Sequence, residues 1–247
     1  MAKKIIGDVD LKHLCLKHLP DILKDITISG NFYCDNNNLT SLVGAPTTVG
    51  ADFDCSYNRL KSLEGTPKTV ARDFRCGHNN LTSLIGVTKI VGRNFDCGYN
   101  RLKSLEGTPT YVNGNFTCHD NELTSLVGAP KTVSDDFDCH DNKLTSLEGA
   151  PKTVGGDFDC HDNKLTSLVG TPTTVGGDFV CSNNQLTSLV GAPTNVDGHF
   201  VCSNNQLKSL EGTPKTVGGD FDCSNNPVKF TKQQVRAVCD VEGDVYV

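Results

Sequence analysis

The sequence contains no apolar run approaching the length of a membrane span, so no transmembrane helix is expected. Its N-terminus, MAKKIIGDVDL, lacks the long apolar core and small-residue cleavage site of a secretory signal. A cytoplasmic location follows as an expectation. Twelve cysteines are present without a single CxxC pair, which removes the commonest zinc and dithiol redox spacings. There is no phosphate-cradling glycine loop, no GxSxG and no HExxH. An enzyme is not expected, and no cofactor or metal is assigned. A positive charge excess is missing as well: the net charge is −6, which argues against neutralising the phosphates of a nucleic acid.

What the chain does contain is one unit, repeated. Phe32, Phe53, Phe74, Phe95, Phe116, Phe137, Phe158, Phe179, Phe200 and Phe221 stand 21 residues apart. Two residues after each comes a Cys, from Cys34 to Cys223, and five residues after each an Asn, from Asn37 to Asn226. A fixed period in this range is the signature of a solenoid. A length of 247 residues would otherwise suggest one or two globular domains; a stack of like units grows along one axis instead.

Within a repeat, Val133, Phe137 and Cys139 lie on one side of an alternating pattern, which predicts one short strand. Asn142 follows where the chain must turn, and its buried amide is expected to satisfy backbone groups of the neighbouring coil. Leu144 and Leu147 return to the core, and Gly149, Pro151 and the Gly155-Gly156 pair mark bends. The ten periodic cysteines read as reduced core filling. Little in the unit favours helix, so the outer side should be turns and extended chain.

The ends differ from the middle. Residues 1–31 read as a degenerate capping unit in which Val9-Asp10-Leu11 overlays Phe32-Tyr33-Cys34, with one helical turn over Pro20 to Lys24. Residues 32–226 form the solenoid. Residues 227–247 read as a C-terminal cap: Thr231-Lys232-Gln233-Gln234 is a capping-box pattern, Val235, Val238 and Cys239 give a short helix an apolar side, and Asp244 to Val247 supply a last strand.

The pattern FxCxxNxLxxL resembles the leucine-rich repeat LxLxxNxLxxL, with Phe and Cys in two of the Leu places. The LTSLEGAPKTV segment (residues 144–154), with Pro four residues after Leu147 and Val three after that, is similar to the short repeats of secreted bacterial effectors and of bacteriophage-encoded repeat proteins. The resemblance covers about four-fifths of the chain. It implies a right-handed superhelix with a parallel concave sheet, turns and extended chain on the convex side, and a setting in a bacterium, a phage or a host-cell cytoplasm. Two departures stand out: one extra residue between Val and Phe, and no ubiquitin-ligase domain after the repeats. The second removes the one enzymatic activity the resemblance would carry.

On such a sheet the contact residues are the one before Phe, the one between Phe and Cys, and the two after Cys. Ten strands spaced by about 4.8 Å make a face about 45 Å long. Three zones differ along it. In the first, Tyr57, His78 and Tyr99 share a column, with Arg75 in another; aromatic and Arg side chains dominate interface energetics. The second is acidic: Asp52, Asp54, Asp136, Asp138, Asp157, Asp159, Asp220 and Asp222 form carboxylate columns, with His119, His140 and His161 beside them. That zone reads as a protein-contact surface, a solvated face, or a site for divalent cations. In the third, Val180 and Val201 replace Asp and make a small apolar spot.

The expected function is a non-enzymatic scaffold that binds a protein partner, of unknown identity, on the concave face, through Tyr57, Arg75, His78, Tyr99, Asp138, His140, Asp159 and His161. The alternatives are a structural or virion-assembly component, pairing as a homodimer through a solenoid edge or end, and a cation-dependent binder.

Overall fold

The computed structural model describes residues 3–247. They fall into two compact units, the first ending at Glu122 and including Gly128–Pro130, the second comprising Leu123–Val127 and Lys131–Val247. Each is a run of β-solenoid coils built from parallel two-residue strands.

In the first unit one sheet contains Val9–Asp10, Phe32–Tyr33, Phe53–Asp54, Phe74–Arg75, Phe95–Asp96 and Phe116–Thr117. From Phe32 to Phe116 the register places Phe on Phe, for instance Phe53↔Phe74 and Phe74↔Phe95. The second unit has a ladder of the same kind through Phe137–Asp138, Phe158–Asp159, Phe179–Val180, Phe200–Val201, Phe221–Asp222 and Val245–Tyr246. The sequence pattern predicts one strand from Val133 to Cys139, but the chain forms two. Thr132–Val133 belongs to a second sheet with Thr153–Val154 and Thr174–Val175, and a bend over residues 134–135 separates it from Phe137–Asp138. The corner lets Val and Phe enter the interior from two walls, whereas one straight strand would line them along a single wall. Gly170 closes another corner at φ +106°, where a Cβ would sit 2.6 Å from the Leu147 carbonyl oxygen. Only glycine tolerates that backbone and that approach.

The core is a set of ladders. Every Phe of the ladder is fully buried, as are Leu144, Leu147 and their counterparts from Leu39 to Leu207. Successive rings lie 5.2 to 5.7 Å apart, most with planes within 20° of one another, within the range of favourable aromatic pairing. The periodic cysteines are buried thiols. Their sulfurs donate to the next coil's carbonyls: Cys76 Sγ to Asp96 O at 3.2 Å, Cys160 Sγ to Val180 O at 3.3 Å. Burial pushes these thiols well above their ordinary range, so they remain protonated packing material.

Polar ladders join the coils. The side-chain amide of Asn79 donates to the carbonyls of Cys55, Cys76 and Gly77, and its oxygen accepts from the Leu60 N–H at 2.9 Å. Asn163 and Asn184 do the same for their neighbours. A single buried residue therefore satisfies four backbone groups of two coils.

At the N-terminal end Val9–Asp10 pairs with Phe32–Tyr33 in the register read from the sequence. The helical turn is a 3-10 turn over Asp21–Leu23, with Pro20 just before it. At the other end Thr231 caps a helix over Lys232–Arg236 with a complete capping box. Val235 and Cys239 are buried, but Val238 is exposed, so the apolar side of this helix is narrower than its spacing implies. No helix among the described residues is long and apolar enough to cross a membrane.

Candidate functional site

The residue two places after each Cys has φ near +50° in every coil. Asn or Asp stands there at positions 36, 120, 141, 162, 183, 204 and 225, because a short polar side chain tolerates the left-handed region. The exceptions are Tyr57, His78 and Tyr99, each at φ 52°. A Tyr there costs on the order of 1 kcal/mol of backbone strain that Asn largely avoids. The three rings form one stack: Tyr57 and His78 are 4.1 Å apart between centroids, His78 and Tyr99 4.0 Å, both with planes 12° apart. His119 meets Tyr99 edge-on at 4.9 Å. Both tyrosines remain about half exposed.

Four cations follow the tyrosines in the chain. Arg59, Lys61, Arg101 and Lys103 follow the buried Asn residues in the two tyrosine coils. All four are exposed, and no ion pair engages any of them among the described residues. Arg75, by contrast, is held. Its guanidinium contacts the Asp73 carboxylate and lies 3.9 Å from Asp52, while Arg72 lies 3.7 Å from the other Asp52 oxygen.

Much of the acidic column proves to be internal wiring. The residue before each Phe was expected to face outward; Asp157 does remain exposed, and the side chains of this column also accept the backbone N–H of the equivalent residue in the next coil. Asp136 accepts from Asp157, Asp157 from Asp178, Asp178 from His199, and Asp220 from Asp244, at 2.7 to 3.0 Å. In the first unit Asp8, Asn31, Asp52, Asp73 and Asn94 do likewise. The glycine column beside this ladder has the same cause: a Cβ on Gly177 would meet Asp157 Oδ1 at 2.1 Å. Where Arg72 and Arg93 replace that glycine, the ladder bonds stretch to 3.3 and 3.2 Å. The signal was present in the sequence, since this column admits only Asp, Asn and His, short side chains that can accept.

The next column, between Phe and Cys, is half-buried and makes Asx turns. Asp54 accepts from the Ser56 N–H, Asp96 from Gly98, Asp138 from His140 and Asp159 from His161. Burial raises the Asp54 and Asp96 carboxyls above the ordinary range, against the opposing pull of those N–H groups. A raised value means that the stability this group contributes is full below its unfolded pKa, about 3.9, and declines as pH climbs through the folded value. Asp96→Asn keeps the acceptor for Gly98 and removes the buried charge. It is expected to raise the melting temperature at neutral pH, with the gain vanishing below about pH 4; thermal melts across that range are the check.

Further along, His140 Nδ1 lies 2.5 Å from Asp138 Oδ1 and His161 Nδ1 lies 2.6 Å from Asp159 Oδ1. The two rings stack at 4.5 Å with planes 11° apart. Burial works to lower His161, but its hydrogen bond to Asp159 and the charges of Asp159, Asp162 and Asp141 outweigh it and hold it above its usual value. His119 differs: Thr117 stands where Asp would orient it, and its Nδ1 pairs with Asp120 at 2.9 Å. Val180 and Val201 are half-buried and expose little apolar surface.

No family model matches the sequence, and no curated protein matches it either. Solved structures do match in shape. The leucine-rich repeat domain of APL1B superposes with a TM-score of 0.63 at 19% identity, over 96% of this chain and 76% of that one. The chain has the leucine-rich-repeat fold. YopM from Yersinia enterocolitica is similar at 18% identity and a TM-score of 0.48, and YopM from Yersinia pestis at 16% and 0.47. The chain spans 64% of the length of the first YopM structure and 88% of the second. In leucine-rich-repeat terms the two clusters described above, the Tyr-His-Tyr stack and the paired His-Asp groups, stand on the residues around the Phe ladder.

Proposed function

We propose that this protein is a non-enzymatic interaction scaffold whose Phe-ladder sheet face docks a protein partner, with Tyr57, His78 and Tyr99 at the centre of the contact. One observation carries the reading: three consecutive coils accept strained backbone to place stacked rings where each other coil from Phe32 to Phe221 has Asn or Asp. Drift among duplicated repeats would be opposed by that cost, about 1 kcal/mol at each tyrosine; a contact surface gives a reason to bear it. Stacking also fixes the rings before any partner arrives, so little side-chain entropy is lost on docking. Arg75, steadied by Asp73, belongs to the coil that carries His78, and the exposed Arg59, Lys61, Arg101 and Lys103 of the tyrosine coils favour an acidic partner segment. In the second unit Asp138, His140, Asp159 and His161 stand on or just after the Phe-ladder strands and are contact residues by the same reading. The resemblance of the repeats to those of bacterial effectors and phage proteins is the support for a bacterial or phage-encoded, host-directed role in a cytoplasm.

The test pairs two variants. Tyr57→Ala with Tyr99→Ala is expected to lower capture of the wild-type partner at least 10-fold, the loss of two interface anchors at more than about 1 kcal/mol each. Tyr57→Asn with Tyr99→Asn restores the residue type of the other coils. It should lose capture equally while melting no lower than wild type, because the left-handed strain is relieved. Unchanged capture of every partner by both variants would remove the stack from the contact.

A further inference from the structure

We infer that His140 and His161, with the carboxylates of Asp141 and Asp162, form a binding site for a divalent transition ion of the zinc class. From the sequence, a flat strand surface offers ligands from one direction only. The geometry is richer than that. Both imidazoles come from adjacent coils in matched register, and each has its Nδ1 held by a carboxylate two residues earlier, Asp138 or Asp159. That contact fixes the tautomer: Nδ1 carries the proton toward the carboxylate, and Nε2 presents its lone pair. This is the arrangement by which outer carboxylates orient and strengthen histidine ligands in metal sites.

The Nε2 atoms each lie near the carboxylate that follows. His140 Nε2 lies 3.7 Å from Asp141 Oδ2, and His161 Nε2 lies 3.4 Å from Asp162 Oδ2. The ligand atoms offered by His140, Asp141 and His161 all lie within 4.8 Å of one another. Nitrogens sharing one tetrahedral ion at about 2.0–2.1 Å each sit about 3.4 Å apart, so a tilt of the stacked rings brings the pair into range. Asp141 and Asp162 sit at the left-handed turn position just after each histidine. Their half-exposed side chains reach the ion from the turn rather than the strand, which supplies the second direction. Two imidazoles among the ligands select against calcium and magnesium, which take oxygen, and for zinc, nickel or copper. The remaining coordination positions face solvent, where a donor from a partner fits.

The experiment is calorimetric titration of the intact chain with zinc, together with the absorption spectrum of the cobalt(II) form. One equivalent is expected to bind, with a spectrum free of thiolate charge-transfer bands. His140→Gln with His161→Gln should weaken binding at least 100-fold, and Asp138→Asn with Asp159→Asn by 10- to 100-fold, with far-ultraviolet circular dichroism unchanged. His18→Gln, at an exposed histidine elsewhere, should bind as wild type does. Binding that survives the double histidine change, or that disappears with Cys15→Ser, overturns the assignment. Wild type that takes up zinc no more tightly than the double variant does so as well. Capture of the partner by the aromatic stack is read separately, in chelator, so failure of either result leaves the other standing.

Discussion

Asn79→Ala is expected to destabilise the protein by about 3–5 kcal/mol. Asn79 is buried, and its removal leaves the Leu60 N–H with no acceptor and takes one donor from each of three carbonyls. An orphaned buried N–H costs about 1–3 kcal/mol; a carbonyl that keeps another partner costs less, and the three together supply the rest. Asn79→Asp should be worse. The carboxylate still accepts from Leu60, but it turns a buried negative charge toward three carbonyl oxygens. Asn80→Ala, one residue on and half-buried, is the control and should change stability by less than about 0.5 kcal/mol. The reading is a urea midpoint combined with hydrogen exchange. Each coil touches only its neighbours, so protection of the Leu60 amide should collapse first. A Leu60 amide as protected in the variant as in wild type would show that the Asn ladder is not what joins these coils.

The second large effect concerns the ring stack in the core. Phe95 is fully buried between Phe74 at 5.4 Å and Phe116 at 5.5 Å. Phe95→Ala is expected to cost about 3–5 kcal/mol through lost burial and the cavity left behind, plus up to about 1 kcal/mol for each ring pair broken. Phe95→Leu restores the residue usual at this place in leucine-rich repeats and keeps most of the volume. Its cost should stay below about 1.5 kcal/mol. Comparable losses for both substitutions would mean that ring stacking, rather than volume, holds the interior. A loss near zero for Phe95→Ala would mean that the coils can collapse onto the gap, which so regular a stack should resist.

Both effects fall on residues whose roles were plain from spacing. A period of 21 places equivalent side chains above one another, so the buried Phe, Cys, Leu and Asn columns could be named before any coordinates. The capping box at Thr231 was equally legible, because its reach is local. The corner between Val133 and Phe137 was not, since alternation reads the same through a bend as through a straight strand. The wiring of the column before each Phe was missed for a related reason. A carboxylate that only faces solvent and one that also accepts a backbone N–H from the next coil use the same residue types, and only the position of the neighbouring chain separates them. Asp157 is such a case; the cramped glycine beside its oxygen was the clue.

The Tyr-His-Tyr column could be picked out as a departure from Asn and Asp, yet nothing in the order of residues said that its backbone is left-handed or that the rings touch. Likewise the sequence shows His140 and His161 following Asp138 and Asp159, without saying which ring nitrogen each carboxylate holds. Repetition dictates what stacks on what, because burial rewards like on like at a constant step. The direction in which a polar side chain turns depends on distances of a few ångströms between coils, and those exist only once the coils are laid down.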